Sequence, residues 1–158
     1  MSKTGQPSEG VSVVATNRRA SFDYELLDRY EAGVVLTGGE IKSIRQGKMD
    51  LRDAFVKIRN GEAWLIGAWI PPYAYSTGFA RQGALADERR ERKLLLKKKE
   101  IAELAISSTR RGFTIIPTRA YLKRGLLKVE IALARGKKLY DKRQAIAKRE
   151  SERALREL

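Results

Sequence analysis

Two runs of basic residues carry most of the chemistry that this sequence offers. Residues 89–99 hold Arg89, Arg90, Arg92, Lys93, Lys97, Lys98 and Lys99 against one acid, Glu91, and residues 135–158 hold nine basic residues against four acids. These two stretches supply 11 of the 14 net positive charges of a 158-residue chain with 33 Lys and Arg and 19 Asp and Glu. A surplus kept for solubility is spread more evenly, and dense runs of one sign repel unless an anion offsets them. The candidate anions are a nucleic acid, an acidic membrane surface and an acidic protein. A membrane surface needs a strong apolar face opposite the basic one, and Gln144 to Leu158 offers only Ile146, Leu155 and Leu158 as large apolar residues. Among nucleic acids RNA is favoured, because unpaired bases stack on exposed rings and Trp64, Trp69, Tyr73, Tyr75 and Phe79 lie near the first run. The tryptophans, inside an apolar run, also read as core; Tyr73 and Tyr75, after Pro71-Pro72, read as surface.

Cysteine and histidine are absent. That removes disulfides, thiol nucleophiles, histidine bases and every Cys- or His-ligated metal site, and no cofactor is expected. Asp50 with Asp53 is the nearest carboxylate pair for a metal-dependent nuclease, a minor alternative. The apolar patch Val11 to Ala15 is too short for a signal peptide. The longest mostly apolar stretch, Ala63 to Tyr75, contains Gly67, Pro71 and Pro72 and falls short of the roughly 20 residues that cross a bilayer. The sequence reads as cytoplasmic.

The length suits one domain. Residues 1–10 read as a loose leader, 11–134 as the folded body and 135–158 as a basic tail. Apolar residues come in strand-length runs: Val34 to Leu36, Ala54 to Ile58, Ala63 to Ile70, Phe113 to Ile116 and Leu126 to Leu133. In the last, Val129, Ile131 and Leu133 share one face and Lys128 and Glu130 the other. Asn60-Gly61 predicts a type I′ hairpin, and Lys123-Arg124-Gly125 a second hairpin with glycine in the left-handed region. Thr37 and Glu40 have capping-box spacing ahead of Ile41 and Ile44, so a short helix begins there. Arg89 to Ser107 is predicted as one amphipathic helix. Strands without βαβ alternation predict a closed or partly closed antiparallel barrel with flanking helices. The tail, rich in helix formers, gains only about 0.2–0.5 kcal/mol from each of its pairs Glu152–Arg156 and Glu150–Arg153. It is expected to be disordered alone and helical when its cations meet phosphates. On composition alone, a constitutive ribosomal or RNA-chaperone protein fits equally well.

Asn17-Arg18-Arg19-Ala20, EAGVVLTGGEIKSIRQGK (31–48), RKLLLKKKEI (92–101) and ALARGKKLYDKR (132–143) occur in this order. With them the chain resembles the small protein B family, the bacterial partners of transfer-messenger RNA in rescue of stalled ribosomes. The resemblance implies a six-stranded oligonucleotide-binding barrel with flanking helices. It implies a monomeric, non-enzymatic adaptor that holds the elbow of the RNA's transfer-RNA-like part, and meets alanyl-tRNA synthetase and elongation factor Tu only through that RNA. The implied RNA-binding residues are Asn17, Arg18, Arg19, Glu31, Lys42, Arg45, Lys93, Leu95, Lys97, Lys98 and Lys99. Leu95 reads more simply as core, Glu40 as the capping-box acid, and Glu31 as either an acceptor for base or ribose donors or a structural strand-end carboxylate. The tail would enter the ribosome's small-subunit decoding centre and messenger channel. It would do so with Gly136, Lys137, Lys138, Tyr140, Asp141, Lys142 and Arg143 at its base and Lys148, Arg149 and Arg153 beyond.

Overall fold

The computed structural model describes residues 10–73, 88–137 and 139–156, with the backbone alone for 139–145. The expected loose leader, except for Gly10, lies outside the described residues, as do Tyr75, Phe79 and Lys138. Eleven elements follow in order among the described residues: β1 (Val11–Thr16), α1 (Ala20–Asp23), β2 (Tyr24–Val34), α2 (Gly38–Arg45), β3 (Phe55–Arg59), β4 (Glu62–Ile66), β5 (Arg92–Leu95), α3 (Lys98–Ser108), β6 (Phe113–Lys123), β7 (Leu126–Gly136) and α4 (Leu139–Arg156).

The strands form one antiparallel sheet in the order β1-β6-β3-β4-β5-β2-β7, and β7 returns to β6. Six strands, β2 to β7, therefore close on themselves, with β1 added along β6. This is the barrel with flanking helices that the strand pattern predicts. Closure leaves no open edge within the ring, which is how small all-β folds escape edge-to-edge association. Alternation builds the interior: Leu65, Leu94, Ile115, Val129 and Ile131 point inward and are almost wholly buried. Ile44 from α2 and Leu104 from α3 join the same core. Each such side chain contributes about 1.5–3 kcal/mol by leaving water. On the other face of β6 and β7, Ile116 and Ala134 pack with Ala20, Tyr24 and Leu26, which seats α1 on the outside of the barrel.

The two hairpins fall where the turn residues place them. Asn60 and Gly61 both have positive φ (50° and 72°), as a type I′ turn requires. In the second hairpin Arg124 joins Gly125 in the left-handed region (54° and 78°), so the turn has two residues and β6 runs through Lys123. The capping box is present: the Thr37 hydroxyl accepts from Glu40 N, and the Glu40 carboxylate accepts from Thr37 N at 2.9 Å.

Three expectations need correction. The single amphipathic helix over 89–107 is instead strand β5 followed by α3, which starts at Lys98. Leu94, Leu95 and Leu96 fit either period, and β5 is fixed by partners on both sides, β4 and β2. Val34 to Leu36 marks only the end of a strand that begins at Tyr24. Most of β2 is too polar to stand out, because Arg29 and Glu31 stand on its outer face and Glu25, Leu27 and Asp28, at the start of the strand, are exposed. Finally, Trp64 and Trp69 are not core. Ala63 and Leu65 take the inward positions, Trp64 is half-buried on the outer face, and Trp69 Nε1 donates to Glu88 at 3.2 Å.

Candidate nucleic-acid interface

On the outer face of β2, β7 and β6 the register sets Glu31 opposite Glu130 and Glu130 opposite Arg119, with Thr16 of β1 next in the row. Two adjacent carboxylates repel, and the neighbouring residues offset that repulsion. Glu130 accepts from Thr118 Oγ1 at 2.5 Å and from Arg29 Nη1 at 3.3 Å, and pairs with Arg119 Nε at 3.5 Å. Glu31 accepts from the Tyr121 hydroxyl and pairs with Lys123 Nζ at 3.5 Å. The Tyr121 hydroxyl, helped by Lys123 and Lys128 and opposed by partial burial, holds the Glu31 carboxyl below the usual carboxylate range. Burial and the bond to Glu31 push the Tyr121 phenol up. Glu31 is thus an ionised, oriented acceptor on an exposed strand, able to receive base or ribose donors.

Asn17 is locked beside this row: its N–H donates to Thr118 O at 2.8 Å and its Nδ2 to Pro117 O at 3.0 Å. A depression of about 560 Å³ lies between Asn17, Arg18, Arg29, Arg119 and Glu130. In the other direction along β2, Gly33 stands against Leu95, and a Cβ added there would lie 3.4 Å from the Leu95 Cβ. Leu95 is 54% exposed, so reading it as core is overturned: alternation sends Leu94 inward and Leu95 out. Lys97, Lys98 and Lys99 follow, all exposed, with Glu100 accepting from Lys97 N at 3.0 Å at the start of α3. Asn17, Arg18, Glu31, Leu95 and Lys97 to Lys99 therefore belong to one arc around the barrel.

Other expected residues fall elsewhere. Lys93 is on the outer face of β5, beside Trp64 in register, with its ammonium 3.4 Å from Glu62. The Arg59 guanidinium lies 5.3 Å from the Trp64 ring centroid. Lys42 stands 5.2 Å over the Tyr73 ring on α2, and Arg45 is exposed on that helix. Arg19 is exposed and pairs with Asp23 at 3.7 Å, lining a different depression.

The basic run itself is divided. Arg92 is fully buried and donates to the Glu40 carboxylate at 2.6 Å, to Ala68 O and to Glu88 O, while Arg90 reaches Glu40 at 2.5 Å. Burial opposes ionisation of Glu40, yet Arg90, the Thr37 N–H and Arg92 hold its carboxyl below the usual range. These two arginines stitch β5 to α2, leaving Lys93 and Lys97 to Lys99 to face solvent. Arg29, Arg119, Tyr121, Lys123 and Lys128 went unselected from sequence; the alternation of Arg119, Tyr121 and Lys123 along β6 is the signal that marks them. The Asp50 carboxylate is engaged by Arg52 at 2.7 Å and 2.9 Å, which removes it from the alternative metal pair.

The base of the tail is anchored on α1. Lys137 N donates to Asp23 O at 3.1 Å, Lys137 Nζ to Ser21 O at 2.9 Å, and Gly136 N to Gly112 O at 3.1 Å. Farther on, the Arg149 guanidinium lies 5.4 Å from the Phe22 ring centroid, and Lys148 and Arg153 are exposed. The side chains of Tyr140, Asp141, Lys142 and Arg143 lie outside the described residues.

A closed antiparallel barrel with an ionised acceptor set among cations on its outer face, and a basic extension from its last strand, has the build of a nucleic-acid-binding barrel protein. The chain belongs to the SmpB protein family, whose model matches residues 14–158. It is 48% identical over 147 residues to the SsrA-binding protein of Trichodesmium erythraeum (strain IMS101), covering 93% of this chain and 92% of that one. It is 52% identical over 143 residues to the SsrA-binding protein of Roseiflexus castenholzii (strain DSM 13941 / HLO8), covering 90% and 88%. A chain from a solved structure described as "tmRNA-SmpB: a journey to the center of the bacterial ribosome" is 43% identical, with a TM-score of 0.64 over 78% of this chain and 84% of that one.

Proposed function

We propose that this protein is a non-enzymatic, monomeric, cytoplasmic adaptor. It binds the transfer-RNA-like part of transfer-messenger RNA and delivers it to stalled ribosomes for trans-translation. The observation that carries the reading is the likeness to the solved chain described with tmRNA and the bacterial ribosome. The arc from Asn17 and Arg18 through Glu31 to Leu95 and Lys97 to Lys99 supports a barrel-side RNA grip, to which we add Arg29, Arg119, Lys123 and Lys128. Arg19, Lys93, Lys42 and Arg45 form its periphery. The tail, held to the body in the free chain through Lys137 and through Arg149 over Phe22, takes its working position in the small-subunit decoding centre and messenger channel, using Gly136, Lys137, Lys138, Tyr140, Asp141, Lys142, Arg143, Lys148, Arg149 and Arg153. Alanyl-tRNA synthetase and elongation factor Tu meet the protein only through the RNA.

The test is binding to a transcript of the transfer-RNA-like domain across a salt series. Arg18→Ala and Arg119→Ala should each weaken binding and reduce the salt slope by about one. Tight binding to structured transcripts that does not depend on either arginine would refute the barrel grip.

A further inference from the structure

A second depression, of about 660 Å³, shares Asn17 and Ala20 with the arc's own depression but opens toward β3. Its volume lies within the range of sites that enclose a small ligand. The floor is apolar, from Ala20, Ala54 and Ile116, and Tyr24 and Phe55 add rings. Phe55 is 41% exposed, a large ring left in water. Two guanidinium groups belong to the lining, Arg19 and Arg52, with side chains 73% and 76% exposed. Arg52 does not swing freely: its N, Nε and Nη2 all donate to the Asp50 carboxylate, at 2.8, 2.9 and 2.7 Å.

The remaining polar lining is the Thr114 and Tyr24 hydroxyls, which donate or accept, the Asn17 amide and two carboxylates. Asn17 commits one Nδ2 hydrogen to Pro117 O, which orients its amide and leaves Oδ1 and the second Nδ2 hydrogen to offer. Asp23 and Asp53 add carboxylates. Asp53 has φ of 62°, and its carbonyl oxygen would lie 3.2 Å from a Cβ placed on Gly67. A non-glycine residue held in the left-handed region persists only where its surroundings fix it, so the Asp53 position is set by the fold. With two cations and two carboxylates the depression is close to neutral, which does not suit a bare phosphate. It suits a flat ring that packs on an aromatic side chain, gives an amino hydrogen to a carboxylate, and carries one phosphate at the mouth.

We propose that this depression is a second RNA site, taking one unpaired, amino-bearing nucleobase against Phe55, with its amino group donating to Asp53 and its phosphate near Arg19 and Arg52. The site rests on the reading of the chain as an RNA binder and deepens it: it adjoins the Glu31 arc at Asn17 and takes its base on residues outside that arc, Phe55 and Asp53. Uracil presents a carbonyl where cytosine presents the amino group, so it sets oxygen against the Asp53 carboxylate and is rejected.

Cytidine and uridine monophosphates carry the same sugar and phosphate and isolate that difference. Titrated into the full-length 15N-labelled protein, CMP should shift the amides of Asn17, Ala54, Phe55 and Thr114, with UMP at least fivefold weaker. Phe55→Ala should weaken CMP at least fivefold. Asp53→Asn keeps a residue type that tolerates the left-handed region and should erase the preference for CMP over UMP. Equal binding of the two nucleotides by the unaltered protein, or an unchanged CMP titration in Phe55→Ala, overturns the proposal. Phe55→Ala assayed against the transfer-RNA-like transcript and against vacant ribosomes identifies the source of the base as the one whose affinity falls at least threefold; no fall in either also overturns it. Failure of the adaptor reading is separately visible, because it appears as loss of transcript binding in the unaltered protein.

Discussion

The strand face around Glu31 and the tail after Gly136 both present charge, and they hold it by different means. On the barrel, two facing carboxylates are held by cations and hydroxyls of the neighbouring positions, and Glu31, Glu130, Arg29 and Arg119 each have partners that fix their positions before any ligand arrives. In the tail, Lys148, Arg149 and Arg153 extend from a helix with Ile146 and Leu155 exposed, joined to the body through Lys137 on α1 and Arg149 over Phe22. The first arrangement is preorganised and selects by geometry. The second stores charge whose position is set by whatever receives it. Preorganisation lowers the ordering cost of binding; a segment ordered by its partner bears that cost at binding and can fit a long groove in return.

This contrast can be broken most sharply at Arg92. Arg92→Ala leaves Glu40 buried beside Arg90 with half its support gone, and should cost about 3–5 kcal/mol in urea unfolding. Removing residues 144–158 should leave the same unfolding midpoint nearly unchanged. Tyr121→Phe deletes one hydrogen bond to a charged acceptor, about 1.5–3 kcal/mol. It should weaken transcript binding about tenfold and have little further effect when Glu31 is already Gln. The carboxyls of Glu31 and Glu40 are both lowered from 4.5, so the stability they contribute is fully present above that pH and is lost as pH falls through their lower folded-state values. Urea midpoints compared between pH 6 and pH 3 should therefore fall less in Glu40→Gln than in the unaltered protein. The smallest effect belongs to Phe22→Ala, which removes an exposed cation–π contact of about 0.5–1 kcal/mol; it should speed amide exchange in α4 and leave the barrel amides protected.

The barrel was legible where local chemistry decides the backbone. Asn60-Gly61 placed the β3–β4 hairpin, and Thr37 with Glu40 placed the start of α2. It was illegible where tertiary partners decide. Arg89 to Leu96 reads as helix until β4 and β2 claim it from either side, and an arginine with no exposed surface is intelligible only once Glu40, Ala68 and Glu88 surround it. The interface divides in the same way. The resemblance named Glu31, but what makes it an acceptor, Tyr121 and Lys123, lies about 90 residues away and becomes visible only through β6 pairing to β7 and β7 to β2. Total charge misled for a related reason: it counts Arg90 and Arg92 as surface cations although Glu40 consumes both.

That barrel and tail are separate devices is tested most directly by a chain ending at Lys137, assayed in parallel for affinity to the transfer-RNA-like transcript at fixed salt and for release of stalled ribosomes. The account requires affinity within about twofold of the full chain, with ribosome release lost. A truncated chain that still rescues ribosomes, or one that loses RNA affinity together with rescue, would contradict it.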